Sequence, residues 1–213
     1  PRVAPCPVPP RPSRAPRPAG TGRSEVGAIR VVAGSARGRA LRTPEGRDVR
    51  PTSARVRAAV FNALGSLGEV VDAEMVDLFA GTGALGIEAL SRGAAGVVFV
   101  DRSRAAAAVV RENLTTCGFD DVAEVVVADA LVHARSMAPV DVALCDPPYD
   151  FDGWDELLAA VPAAVVVVES DRDVEPGPDG TVLSRRRHGG TVVTMIRFPR
   201  RAPRGRPPTE VDR

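Results

Sequence analysis

The sequence contains no lysine and no glutamine, and all 28 of its basic residues are arginine. Without lysine there is no amine for Schiff-base chemistry and no P-loop phosphate lysine. Ala, Val, Gly, Arg and Pro are heavily used, so GC-rich codon usage explains the lack economically, and it is not read as function. The three cysteines, Cys6, Cys117 and Cys145, are odd in number and spaced like neither a disulfide framework nor a zinc site. A reducing, cytoplasmic setting is the simplest expectation. His133 and His188 are the only histidines, which argues against a multi-histidine metal centre, and no metal is expected. No apolar run approaches a membrane span. The N-terminal arginines are not followed by the apolar core of a signal peptide.

What is present is unevenly placed. The 213 residues suit one domain with room for a full core. The net charge of +1 hides a contrast: residues 1–57 carry 13 Arg against 3 acids, 58–184 carry 6 Arg against 22 acids, and 185–213 carry 9 Arg against 2 acids. Two basic ends flank an acidic middle. If those ends share a face, it can bind polyanions; the plainer reading is a protein with basic tails. Residues 1–25 are rich in Pro and Arg and poor in large apolar side chains, and are expected to be disordered. Val26 offers an alternative translational start. Residues 200–213 are expected to form a second loose, basic tail.

The intervening pattern predicts an α/β fold. Ile29 to Ala33 and Arg39 to Thr43 read as a hairpin around a glycine-rich basic turn, Gly34 to Gly38. A helix begins near Arg50-Pro51-Thr52, with Thr52 the candidate cap and Val56, Val60, Phe61 and Leu64 its apolar stripe; Arg55 and Arg57 are placed off that stripe. This hairpin and helix, residues 26–66, form an N-terminal extension to a domain over 67–199. Strands are predicted at 74–79, 97–101, 123–128, 140–145 and 163–169, and helices at 84–91, 103–117, 130–136 and 154–160. Alternation of this kind requires a parallel sheet covered on both faces. The segments 181–187 and 191–198, joined by His188-Gly189-Gly190, read instead as an antiparallel hairpin.

Two segments carry chemistry. Asp146-Pro147-Pro148-Tyr149 follows an apolar strand, so it sits where open α/β sheets hold ligands. Both prolines lack an N–H, and each pushes its predecessor toward extended backbone. The loop therefore offers a carboxylate, carbonyl acceptors and an aromatic face, which suits a planar exocyclic amine. The plainer reading is a tight turn with a packed tyrosine. Asp77-Leu78-Phe79-Ala80-Gly81-Thr82-Gly83-Ala84-Leu85-Gly86 runs from strand through a GxGxxG turn into a helix, with Asp101 20 residues after Gly81. Such a turn brings backbone close to an adenosine-containing ligand, and the later acid accepts from ribose hydroxyls. Asp77 suits a ligand with an ammonium and a sulfonium better than a pyrophosphate, and Asp129 is placed to meet an adenine edge. These details favour S-adenosylmethionine over NAD. Helix capping is the plainer reading of Asp101 and Asp129.

Arg50-Pro51-Thr52, Arg55-Val56-Arg57, Phe61-Asn62, the run from Asp77 to Ala94, and Asp146 to Tyr149 together resemble the RsmD family of bacterial 16S rRNA guanine-N2 methyltransferases, over about residues 28–198. The resemblance implies a class I S-adenosylmethionine-dependent methyltransferase (Rossmann-like) sheet of seven strands, the last antiparallel. It implies methylation of a guanine near the P site, in an assembled or nearly assembled small subunit. Cofactor contacts are then expected at Asp77, Phe79, Ala80, Gly81, Gly83, Asp101, Arg102, Asp129, Ala130 and Asp146. Catalytic roles fall on Asp146, Pro147, Pro148 and Tyr149. The Pro/Arg ends and the acidic 171–180 connection depart from the family pattern.

The RNA grip is expected from Arg37, Arg39 and Arg42 in the hairpin, from Arg50, Thr52, Arg55 and Arg57 around the first helix, and from Arg185 to Arg187, with Arg185 and Arg187 singled out as site residues. Arginine forks onto phosphates and stacks on bases, and such binding weakens with salt. A monomer without membrane association is expected. Alternatives are an adenine amino-methyltransferase, an NAD-dependent oxidoreductase, and a non-catalytic RNA-binding assembly factor.

Overall fold

The computed structural model describes residues 29–43 and 53–199. The N-terminal extension contributes strands β1 (Ile29–Arg30) and β2 (Ala40–Leu41) and helix α1 (Ala54–Ser66). The main domain follows as β3 (Glu74–Leu78), α2 (Ala84–Ser91), β4 (Gly96–Asp101), α3 (Arg104–Cys117), β5 (Ala123–Val127), α4 (Ala130–Ala134), β6 (Val140–Cys145), α5 (Trp154–Ala160), β7 (Ala163–Ser170), β8 (Thr181–His188) and β9 (Thr191–Arg197).

The seven-stranded sheet has the order β5-β4-β3-β6-β7-β9-β8. The first five of these run parallel, β9 is antiparallel to β7, and β8 is antiparallel to β9. Parallel neighbours need crossovers, and the helices supply them on both faces. Strand residues alternate between two cores. Met75, Phe99, Leu144, Val167 and Met195 face α1, α2, α3 and the small hairpin, whereas Val76, Val100, Ala143, Val168 and Ile196 face α4 and α5. Gly86 is required by the first packing: a Cβ there would lie 2.3 Å from the Phe99 ring. Among the described residues, no helix is long and apolar enough to cross a membrane.

Three expectations about the extension change. The hairpin was expected to pair over five residues a side, yet its ladder holds only Ile29 with Leu41 and Arg30 with Ala40. Val31 N still donates to Arg39 O at 3.0 Å, but the two N–H groups after it are taken elsewhere. Glu88 of α2, fully buried, accepts from Val32 N at 2.7 Å and Ala33 N at 3.0 Å. Second, the cap of α1 is Ser53, whose side chain accepts from Val56 N at 3.2 Å; Thr52 and Arg50 lie outside the described residues. Third, Arg57 is not off the apolar stripe. It lies three and four residues before Val60 and Phe61, so it shares their face, and it is only 2 % exposed. Its Nη2 donates to Arg30 O at 2.7 Å, and the charges of Glu88 and Glu169 offset part of its burial.

The hairpin turn is seated on the end of α2. Ser35 N donates to Ser91 O at 2.8 Å and Ala36 N to Ser91 Oγ at 3.0 Å, while a Cβ on Gly34 would strike the Ser91 carbonyl at 1.7 Å. Asn113 of α3 ties the other arm: its Oδ1 accepts from Arg42 N at 2.7 Å, and its Nδ2 donates to Arg42 O at 3.0 Å and Thr82 O at 2.9 Å. The expected boundary between extension and domain is thus crossed by buried polar bonds. Glu88 also accepts from Arg92 Nε at 2.7 Å. Replacing Glu88 by Ala strands two backbone donors, takes a partner from the half-buried Arg92 guanidinium and removes a charge that offsets the burial of Arg57, and should cost about 3–5 kcal/mol of stability. Urea unfolding of the two proteins measures this; a loss under about 1 kcal/mol would show that the hairpin does not depend on the carboxylate.

Candidate active site

Because β3, β4, β5 and β6 are parallel, the residues following them gather along one edge of the sheet. β3 delivers Asp77 and the glycine turn. Phe79 opens the turn with φ of 65°, a left-handed conformation uncommon for an aromatic residue. Ala80 N donates to Val100 O at 2.9 Å and Gly83 N to Ala80 O at 2.7 Å, so the turn is pinned to β4 and closed on itself. Gly83 has φ of 76°, and a Cβ there would come within 3.3 Å of Phe99 and Val110. Gly81 also has positive φ, at 56°, but its missing Cβ would meet only Phe79 O at 3.8 Å. Its bare backbone therefore borders open space, as close approach by a ligand requires.

The three expected acids play different parts. Asp77 is 1 % exposed, and its Oδ2 accepts from Gly86 N at 2.9 Å. It faces inward, onto α2, so its charge rather than its surface acts at the edge. Burial holds its carboxyl well above the usual range; the Gly86 N–H lowers it in part, and the charges of Asp146 and Asp101 raise it again. Asp101 accepts from Gly81 N through Oδ2 at 2.9 Å and from Ser103 N through Oδ1 at 2.7 Å. The cap of α3 is Ser103, not Asp101. Asp129 caps α4, its Oδ1 accepting from Leu131 N at 2.9 Å and Val132 N at 3.1 Å. Ala130 is buried in the first turn of that helix, and Arg102 is exposed.

β6 delivers the second loop to the same edge. Asp146 is half-buried, Pro147 buried, and Pro148 and Tyr149 exposed. Phe151 N donates to Pro148 O at 2.9 Å and closes the turn. Tyr149 is the only tyrosine. It is 46 % exposed, with its hydroxyl 3.5 Å from Thr191 Oγ1 at the start of β9. Phe151 bridges the two loops: its ring meets Phe79 edge-on at 5.2 Å and Trp154 at 5.0 Å. Sequence reasoning missed Phe151, Thr191 and Asn113. Asn113 left a signal, because it is a lone amide between the apolar helix positions Val110, Leu114 and Cys117.

The arginines expected to hold RNA are sorted by their partners. Arg37 and Arg55 are exposed. Arg39 donates to Thr116 O, and Arg42 pairs with Glu112 at 2.5 Å. Buried Arg57 cannot serve as a surface contact. Arg185 is also engaged, with Asp173 at 3.4 Å, Glu175 at 2.9 Å and Val174 O at 2.8 Å, and Arg187 lies 3.8 Å from Asp173.

This strand order, with a reversed strand near one side and an acidic edge beside a glycine turn, defines a Rossmann-like methyltransferase fold. The chain belongs to the RsmD family: the model of the family described as "Conserved hypothetical protein 95" matches residues 29–197. It is 39 % identical over 190 residues to "Ribosomal RNA small subunit methyltransferase D" of Escherichia coli, spanning 81 % of this chain and 91 % of that protein. It is 35 % identical over 183 residues to "Putative rRNA methyltransferase YlbH" of Bacillus subtilis, spanning 79 % and 98 %. Among solved structures, "Putative methyltransferase yhhF" from Escherichia coli superposes with a TM-score of 0.72 at 31 % identity, covering 82 % of this chain and all of that one.

The Asp77 carboxyl gives a test of the edge. Its folded-state affinity for a proton is raised above the unfolded one, so its contribution to stability is full below the ordinary carboxylate range and is lost as pH rises through the raised value. Asp77→Asn keeps an acceptor for Gly86 N–H and removes the buried charge. It should raise Tm at neutral pH, by about 2–4 °C for each kcal/mol relieved, with the gain shrinking as pH falls. A lower Tm than the unaltered protein at neutral pH would contradict this reading of the carboxyl.

Proposed function

We propose that the protein transfers a methyl group from S-adenosylmethionine to the exocyclic N2 amine of a guanine in 16S rRNA of the small ribosomal subunit. One observation carries this most directly. The acceptor loop Asp146 to Tyr149 and the glycine turn Phe79 to Gly83 share one edge and touch through Phe79 and Phe151. The names of the relatives support the class of substrate.

The residues fit the donor. Burial is the main reason that the Asp77 carboxyl is raised, and the charges of Asp146 and Asp101 raise it further, a contribution that a sulfonium and an ammonium would relieve. Gly81 leaves backbone bare toward open space, and Asp101 has acceptor capacity beyond its two backbone donors for ribose hydroxyls. Asp77, Phe79, Ala80, Gly81, Gly83, Asp101, Arg102, Asp129 and Ala130 would hold the cofactor, Asp77 through its charge. When bound, S-adenosylmethionine supplies an electrophilic methyl group.

The acceptor amine needs more help, because its lone pair is delocalised into the base. The Asp146 carboxylate and the Pro147 carbonyl accept its two N–H groups and draw the nitrogen toward tetrahedral geometry. The same carboxylate stabilises positive charge as it grows on nitrogen. Tyr149 stacks on the base and fixes its plane, and Pro148 stiffens the loop. The base must leave its stack to reach this edge. Arg37 and Arg55 are available to the surrounding RNA.

The test is a tritiated-methyl assay on small subunits from a strain lacking the enzyme, with nucleoside digestion and mapping of the labelled base. Label in N2-methylguanosine is expected; label in N6-methyladenosine would replace this reading with the adenine one. Asp146→Ala should lower kcat by about 10²–10³-fold at saturating cofactor. Near-normal turnover by that variant would remove Asp146 from its role.

A further inference from the structure

The arginine triplet of β8 is divided between two faces of the sheet. Arg185 and Arg187 point toward the acidic connection after β7, where Asp173 and Glu175 meet them. A bulge between Val182 and Ser184 sets the alternation that follows. Ser184, Arg186 and His188 therefore lie on the other face and line a groove against α1, with Ala59 and Ala63 across from them. Arg186 is exposed, and among the described residues no carboxylate pairs with it. The nearest acid on its row is Glu169, opposite Val193 as Arg186 is. Glu169 is buried and set against the Arg57 charge.

The His188 end of this groove lies near Tyr149. Glu69, just past α1, pairs with Arg197 at the end of β9, so the start of α1 points toward the start of β9. There Thr191 pairs with His188 across the hairpin and lies against the Tyr149 hydroxyl. Arg55 stands one turn before Ala59 on the same helical stripe, and is exposed. The groove thus has an apolar floor that includes Ala59 and Ala63, Arg186 and His188 along one side, and Tyr149 beyond its His188 end.

We propose that this groove carries the single-stranded RNA flanking the target base, with Arg186 and His188 contacting its backbone and Arg55 continuing the track. The floor formed by Ala59 and Ala63 lets a ribose approach closely, and Arg186 presents its guanidinium to phosphate without first leaving an acid. Arg185 and Arg187, which look equivalent in the sequence, instead hold the 171–175 connection to the sheet. The inference rests on the RNA-methylation reading and names the surface that reading uses.

Two neighbouring charge reversals test it, since they change net charge identically and differ only in face. Arg186→Glu should raise KM for small subunits at least tenfold with kcat within twofold, and reduce the salt dependence of binding by about one phosphate contact. Arg186→Ala should move KM in the same direction by a smaller factor. Arg187→Glu should leave KM within threefold, with any cost appearing in Tm. Equal effects of the two reversals, or an unchanged KM for Arg186→Glu, would overturn the inference while leaving the activity standing. Failure of the unaltered protein to methylate small subunits would instead remove the activity, and the groove's assignment with it.

Discussion

Parallel strands ending at a common edge bury Asp77 with Asp101 and Asp146 within electrostatic reach of it, and burial, more than the repulsion of those two charges, raises its carboxyl. Burial takes Asp77 out of water, and only one α2 N–H compensates it. Asp101 spends its oxygens on Gly81 and Ser103 and so fixes the turn that borders the open space. The edge is thus rigid before any ligand arrives, and its unspent potential is negative. A cationic ligand gains from such an edge without reorganising it, whereas a pyrophosphate would add to the repulsion. That contrast separates the two adenosine-ligand readings more firmly than the glycine spacing does.

The extension is welded to this domain by interior polar bonds, not hung from a linker. Glu88 and Asn113 are both buried, and each takes up backbone groups from the hairpin that pairing within so short a ladder would leave unmet. Asn113 also reaches the carbonyl of Thr82, inside the glycine turn. Hairpin position and turn geometry therefore share one side chain. The surface proposed to receive RNA is thereby tied to the turn proposed to receive the cofactor.

The parallel sheet was legible because its strands alternate with helices and run nearly continuously apolar, and β6, α2 and α5 match their expected bounds. The acidic edge was legible for the same reason, since strand ends are where such folds place chemistry. What escaped were features set by long-range partners. The hairpin ladder shortened because a carboxylate more than 50 residues away took its donors. Arg57 was misplaced because charge was weighed above helical period, although its spacing to Phe61 already put it inside. Phe151 could not be chosen as the bridge between loops, because nothing local marks a phenylalanine as facing another loop.

Charge counts carried the least information, and the reason is general. A run of arginines states how much positive charge a segment holds, not how much remains after the fold has used it. Here the acidic 171–180 connection meets Arg185 and Arg187 on one face of β8 and leaves the other. Arg42 and Arg39 are likewise spent on α3, and Arg57 on the interior. Among the described residues Arg37, Arg55, Arg102, Arg104 and Arg186 are exposed without an acid partner, and three of them, Arg37, Arg55 and Arg186, stand on the extension and on the sheet edge beside it. An arginine whose acid partner is already in place must surrender that pairing before it can hold a phosphate, so its net contribution to RNA binding is the difference between two similar energies. An unpaired arginine carries no such deduction. For the proposed RNA contacts, what counts is therefore where acids are absent more than where arginines are abundant.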